Sequence, residues 1–406
     1  MSAAAPAPAA RPFAAALDAS SSRREPPWLT KLRAAARARF DEMGLPRPGD
    51  EDWRQTNVRP LGAIPFTVAA SAAPRGAHVE SLREAIARRP EVLEPHLGRI
   101  APFERHPFVA LNTAVFEDGT LVFLPAGTIV DEPIRIVHEI PPGVSPVALF
   151  PRTLVIAGAG ARATVVESFI GPAAGVSLAA SVTEIVLEPN AAIEHVKVQS
   201  GGPEAWHVAS IAGRIARDAR MASHNVSWGG KLSRNDVGAV LDGEGAECHL
   251  YGLYLADGAQ HVDNHTWLDH AKPHGRSWEM YKGVLAGSAR AVFNGRIIVR
   301  EGAQKTDAKQ SNKNLILSDA AAVFTRPQLE IYANDVKCTH GATIGRLDEE
   351  ALFYLRSRGL LAAEARDLLI HAFADDVLGK IPDAALRAEL ADALYARLER
   401  DLAGRP

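Results

Sequence analysis

Residues Thr153-Leu154-Val155-Ile156-Ala157-Gly158-Ala159-Gly160-Ala161-Arg162-Ala163-Thr164-Val165-Val166-Glu167-Ser168 decide the fold. Their middle matches G-x-G-x-x-A behind an apolar run, which is the form of a dinucleotide fingerprint. That fingerprint needs a helix next, whose free N–H groups and dipole hold the pyrophosphate. Here Thr164-Val165-Val166 are β-branched and open a second strand instead. The stretch therefore reads strand, small-residue turn, strand, and nucleotide binding at the turn is rejected. No G-x-x-x-x-G-K-[ST] occurs anywhere, so the chain has no phosphate loop of its own.

Working outward, similar runs recur: Leu121-Val122-Phe123-Leu124, Ile134-Arg135-Ile136-Val137, Glu184-Ile185-Val186-Leu187, Ile297-Ile298-Val299 and Asn314-Leu315-Ile316-Leu317. Each reads as a strand of about five residues, with no helix-length pattern between them, which rules against a doubly wound α/β domain. Turns ending in alanine recur at Ala161, Ala191, Ala219, Ala246, Ala259, Ala289, Ala303 and Ala320, with gaps of 30, 28, 27, 13, 30, 14 and 17 residues. One unit of about 14 residues, or two of them, is the signature of a repeat architecture. A propeller would carry longer blades and more aromatics than the 6% here. The expectation is mainly β: a parallel β-helix over 108–344.

Helical regions flank it. Leu29, Leu32, Ala36 and Phe40 recur at helical spacing and Gly44 with Pro46 ends the pattern, giving a helix over Trp28 to Met43; a second covers Ser81 to Arg89. These make an N-terminal helical region over 26–107, behind a disordered leader over 1–25 that lacks the pattern of a signal peptide. At the far end Asp348 N-caps a helix ending at Gly359. A second helix carries Ala365, Leu368, Leu369, Ala372 and Phe373 on one face, and a third carries Leu386, Leu390, Leu394 and Leu398. This C-terminal helical domain, 345–406, is expected to cap the open end of the solenoid, since such ends need covering. A truncation after about Gly345 is expected to leave the β-helix folded.

At 406 residues with 47% hydrophobic and 23% charged side chains, the chain is a folded protein larger than one ordinary core. A net charge of −3 argues against nucleic acid and anionic membranes as partners. No stretch approaches 18 uninterrupted apolar residues, so no membrane span is expected. Two cysteines exclude a disulfide framework and suit a reducing compartment, so the expected location is the cytoplasm.

Two groups of residues bear chemistry. Cys248, His249, His261, His265, His270 and His274, with Asp263 and Asp269, form a histidine-rich segment. His261, Asp263 and His265 alternate at period two and share a face, as transition-metal ligands would, but the spacing fits no closed zinc pattern. A polar outer face of the solenoid, hydrogen-bonded and solvated, is the preferred reading of them. The other group is Cys338-Thr339-His340, whose thiol and imidazole share one face of a terminal strand and suit iron and sulfur chemistry. Two ligands cannot hold a cluster, so a metal site at His340 would be shared with another subunit. A buried cysteine packed as a small hydrophobe beside a satisfied histidine is the bland alternative.

Ala291-Val292-Phe293-Asn294-Gly295, Ala303 to Ala308, Gln310, Asn312, Leu329 to Thr343, Leu352 to Gly359 and Glu51-Asp52-Trp53-Arg54-Gln55-Thr56 resemble the SufB/SufD family. The likeness covers most of the chain, and Lys337-Cys338-Thr339-His340 places it nearer the SufD branch than the SufB branch, whose chains carry a Glu-His-Glu-type run there. The resemblance implies a right-handed parallel β-helix in a non-enzymatic subunit that pairs edge to edge with SufB. It also implies C-terminal helices that contact the ATPase SufC, here through Leu352, Phe353, Tyr354, Arg356 and Arg358. By the same likeness His340, with Cys338 beside it, takes part in a transient iron–sulfur cluster shared with SufB, and the isolated chain holds none stably. Without SufB, the exposed β-helix edge makes a homodimer the expected fallback. The competing readings are a stand-alone metal-binding β-helix and a carbohydrate-active one; the latter needs convergent carboxylates that the sequence does not display.

Overall fold

The computed structural model describes residues 12–20, 23–70, 76–141 and 143–402, with side chains to residue 398. From Ser177–Leu187 to Lys337–Gly345 the strands alternate between two sheets, each pairing in parallel with its neighbours two positions away in the chain. Thr120–Leu124 and Ile134–Glu139 begin the two sheets by pairing with Arg152–Ala157 and Arg162–Ile170. One sheet has eleven strands and the other eight among the described residues. Each coil of the solenoid thus takes one strand from each sheet.

The turns show why the period exists. Gly160, Asn190, Asp218, Gly245, His274 and Lys305 all adopt positive φ, between 56° and 70°. Each donates its N–H to a carbonyl at the same corner of the next coil, from Gly160 to Pro189 (3.0 Å) through to Lys305 to Asp335 (2.7 Å). A left-handed residue is needed once per coil, and Gly, Asn and Asp accept that conformation most readily. Ala161, Ala191, Ala219 and Ala246 follow it directly and point into the core. Ala259 and Ala320 do not belong to that set: both are exposed, and Ala321 turns inward instead. The G-x-G-x-x-A match is the first of these corners.

The strands are longer than their apolar runs. Most span 9–11 residues, not five, because ladder hydrogen bonds between coils are indifferent to side-chain polarity. The β region also starts later than 108. Pro107–Val115 is a fully buried helix, with Asn112 Nδ2 donating to the carbonyls of Pro151 (2.8 Å) and Ala180 (2.9 Å).

The N-terminal region lies on the outer face of the larger sheet. Its helix Pro27–Met43 ends at Gly44 as expected, and Leu82–Arg88 is capped by Ser81, whose hydroxyl accepts from the Glu84 N–H (3.2 Å). Trp53, Phe108 and Leu111 pack on outward Leu178, Trp206 and Val208. The leader expected over 1–25 is corrected in part. Ala14–Ser20 is a helix whose Leu17 is fully buried in that same cluster, while residues 1–11, 21 and 22 lie outside the described residues.

The C-terminal helices do not cap the end. Asp348 does cap Glu349–Ser357, accepting from the N–H groups of Glu350 (2.8 Å) and Ala351 (3.3 Å). Ala362–Leu378 and Ala384–Leu402, however, lie along the outer face of the smaller sheet. There Val198, Val226 and Leu253 stack in register beside the paired Val166 and Val196, and Leu386, Leu390, Leu394 and Leu398 cover them. That apolar patch spans several coils and offers more area than the rim of one, and burial scales with area. The middle helix is rotated from its expected phase: Ala365, Ile370, Ala374 and Val377 are buried, while Leu368 and Ala372 are exposed. A cut after Gly345 would therefore strip the cover from this face, and is not a mild truncation.

Candidate functional site

The uncovered last coil holds the candidate site. Val165, His195, Ser223, Leu250, Glu279, Gln310 and His340 form one in-register column, one residue per coil of the smaller sheet. The first six are buried inside the solenoid, whereas His340 is exposed because no coil follows. Next to it runs the column Ala163, Ile193, Met221, Cys248, Ser277, Ala308 and Cys338. Cys338 and His340 therefore do share a face, and it is the inner one. Cys338 is half-buried against the core, and burial pushes its thiol above the ordinary value against a backbone hydrogen bond from Ala308. Cys248, three coils deeper, is fully buried and pushed up further, so it packs as an inert small hydrophobe.

The interior is more polar than the sequence reading allowed. Glu167 accepts from Thr153 (2.6 Å) and Thr183 (2.7 Å), lies 2.8 Å from His195 Nε2 and pairs with His138. Burial alone would raise this carboxyl, but the two histidines hold it well below its usual range. Lys197 is buried beside it, donating to Asn235 (2.5 Å), and burial lowers its amine to about 7. Glu279 is pushed up to about 7 by burial, against hydrogen bonds from Thr266 and Gln310. The available signal was period: these polar residues alternate with outward ones along strands that continue past their apolar runs.

Burial also holds the His270 imidazole down to about 4, with Nε2 against Ser277 Oγ at 2.9 Å. A depressed histidine contributes stability that is complete above the unfolded value near 6.5 and is lost as pH falls through the folded value. Denaturant midpoints measured from pH 7 down to 4 are expected to show a loss on the order of 3 kcal/mol from this group. His270→Gln should flatten that limb, and an unchanged pH profile in the variant would remove His270 as its source.

The histidine-rich segment has a different job from either expectation. His261, Asp263 and His265 face outward but are covered by the Glu51–Thr56 element, so they are not a solvated surface. Thr56 Oγ1 donates to Asp263 (2.6 Å) and lies 2.8 Å from His261 Nε2. Arg234 donates to Asp263 (2.6 Å), Asp236 (2.8 Å) and the Asp52 carbonyl (2.7 Å), under the Trp53 ring at 3.7 Å. Burial opposes the charge on Asp263, but Arg234 outweighs it and the carboxyl stays far below its usual range. The element Glu51-Asp52-Trp53-Arg54-Gln55-Thr56 is thus the clamp that docks the N-terminal region. His274 is the left-handed corner residue described above. No group of three or more His, Cys, Asp or Glu side chains positioned for a metal ion occurs among the described residues.

A second exposed feature is the helix Glu349–Ser357, which buries nothing. Phe353 is 74% exposed and Tyr354 56%, an unusual cost for two large apolar rings in water. Arg358 stacks on Tyr354 and donates to its hydroxyl (3.1 Å), Arg356 is exposed and Leu352 is half-buried.

The class of protein the geometry defines is a parallel β-solenoid with an uncovered last coil, which carries an imidazole and a half-buried thiol on its inner face. Two family models match the chain: "SUF system FeS cluster assembly, SufBD core domain" over residues 142–373, and "SufBD protein N-terminal region" over residues 63–136. The iron-sulfur cluster assembly SufBD family protein slr0076 of Synechocystis is 31% identical over 413 residues, covering 91% of each chain. Iron-sulfur cluster assembly protein SufD of Escherichia coli is 37% identical over 239 residues, 59% of this chain and 56% of that one. Protein ABCI7, chloroplastic, of Arabidopsis thaliana is 32% identical over 288 residues, 69% of this chain and 60% of that one. The chain belongs to the SufB/SufD family of iron–sulfur cluster assembly proteins, and is SufD-like.

Proposed function

We propose that the chain is the non-catalytic SufD-type subunit of a cytoplasmic complex with SufB and the ATPase SufC. In this reading the cluster is cargo assembled at the SufB interface, with His340 as a donor from this side and Cys338 as its neighbour. The observation that carries the reading is the unfinished end, where Ala322–Ile331 and Lys337–Gly345 are terminal strands with open edges and the inward columns stop at an exposed imidazole and a half-buried thiol. A partner β-helix adding its own edge there would satisfy those backbone groups and complete the ligand set. A second copy of this chain is the fallback when SufB is absent. The stand-alone metal reading of the His261–His274 segment is not favoured, since its side chains are engaged with Thr56 and Arg234.

Co-expression of the tagged full chain with untagged SufB and SufC tests the proposal: a stoichiometric complex carrying a cluster is expected, and recovery of the chain alone would overturn it. The helix Glu349–Ser357 supports SufC as its partner surface. Phe353→Asp should then reduce SufC capture by at least about tenfold, the loss expected for a buried aromatic anchor. SufB should be retained in that variant. Undiminished SufC capture would move the contact elsewhere.

A further inference from the structure

Within the column that ends at His340, Gln310 sits between a buried carboxylate and the exposed imidazole. It is 3% exposed, and its amide Nε2 donates to Glu279 Oε2 at 2.8 Å. Ionised, Glu279 only accepts, so the amide presents nitrogen to it and turns its oxygen elsewhere. The same Glu279 oxygen accepts from Thr266 Oγ1 at 2.7 Å, which fixes the carboxylate in turn. Gln310 Oε1 is buried without a hydrogen-bond partner. An acceptor left that way costs about 1–3 kcal/mol, so a built site should supply a donor.

The next inward position in register, one strand spacing of about 4.8 Å away, is His340. Across the lumen, Gly295 leaves room for the amide: a Cβ there would lie 2.4 Å from Gln310 Nε2. The pose of Gln310 is thus set by three strands, Arg276–Leu285, His261–His270 and Arg290–Val299, and only its oxygen is free.

We propose that Gln310, held by Glu279, is a positioning residue that accepts the ring N–H of His340. It thereby fixes the tautomer and aims the other ring nitrogen out of the open end. The inference rests on His340 being a donor to the assembling cluster, and it names the groups that orient that donor. Outer hydrogen bonds of this kind set both the tautomer and the basicity of a ligating imidazole.

The test uses the full chain with ¹⁵N-labelled histidine at about pH 8, where an ordinary imidazole is neutral. The His340 ring should show one tautomer with its N–H protected from exchange. Gln310→Met, similar in size but without an acceptor, should convert it to a mixture, and Gly295→Ala, which displaces the amide, should do the same. If neither variant folds, the wild-type spectrum still decides, because a wild-type ring exchanging freely between tautomers overturns the proposal. In the complex with SufB and SufC, Gln310→Met should slow cluster assembly by about tenfold while the complex stays intact. The two layers fail separately. Unchanged cluster content in His340→Ala would overturn the donor reading, whereas loss in His340→Ala with no tautomer change in Gln310→Met would overturn the positioning role alone.

Discussion

Replacing Arg152 by Ala is expected to destabilise the chain by about 3–5 kcal/mol, the range for removing one member of a buried ion pair. Arg152 and Glu184 are both fully buried, 2.5 Å apart. The guanidinium also donates to Thr113 Oγ1 (2.9 Å) and Asn112 Oδ1 (3.2 Å) on the buried helix Pro107–Val115. Glu184 accepts in turn from the N–H groups of Gly98, Ile100 and Ala101 at 2.9–3.0 Å. The pair therefore joins the early coils to the N-terminal region. Without Arg152 the carboxylate keeps three donors but no counter-charge, and the uncompensated charge supplies most of the cost. Arg152→Ala/Glu184→Gln should recover part of the loss, so the two substitutions will not be additive. Urea unfolding of the full chain checks this. A loss below about 1 kcal/mol would mean that the pair is screened like a surface one.

The solenoid was legible because its turns repeat for a backbone reason. One left-handed corner per coil leaves Gly160, Asn190, Asp218 and Gly245 at nearly equal spacing, each followed by an inward alanine. Strand length was not legible from apolar runs, since Glu167, Lys197, Glu279 and Gln310 occupy inward positions that hydrophobic patterning assigns to apolar side chains. Their partners lie on other strands, 31 residues away for Glu279 and Gln310, so alternation places them on the inner face but does not name what they bond. The same holds for His261 and Asp263, whose partner Thr56 lies 205 and 207 residues away. At Cys338 and His340 the shared face followed from alternation alone. Which face it is, and that nothing covers it, depended on where the C-terminal helices pack. Their leucine stripe fits a flat apolar sheet face or the end of a coil equally well, and only the outward patch of Val166, Val196, Val198, Val226 and Leu253 decides between them.

His340→Ala is expected to lower the cluster content of the assembled complex by at least about tenfold, because even outer partners of a metal ligand are worth that much. The side chain is exposed on a terminal strand, so its removal should change stability by no more than about 0.5 kcal/mol. A loss of cluster therefore cannot be assigned to misfolding if the unfolding curve is unmoved. His340→Cys sharpens the reading. A thiolate suits iron–sulfur chemistry, so a position that acts as a donor should recover part of the cluster, while one that acts by shape should not. Cys338→Ser discriminates further. Its thiol is half-buried and held above the ordinary value, which disfavours the thiolate needed for ligation, so its loss should matter less than that of the imidazole. The cluster's visible absorbance per complex, measured after anaerobic purification, is the readout. Wild-type absorbance in His340→Ala would take His340 out of the mechanism and leave the open edge as a docking surface alone.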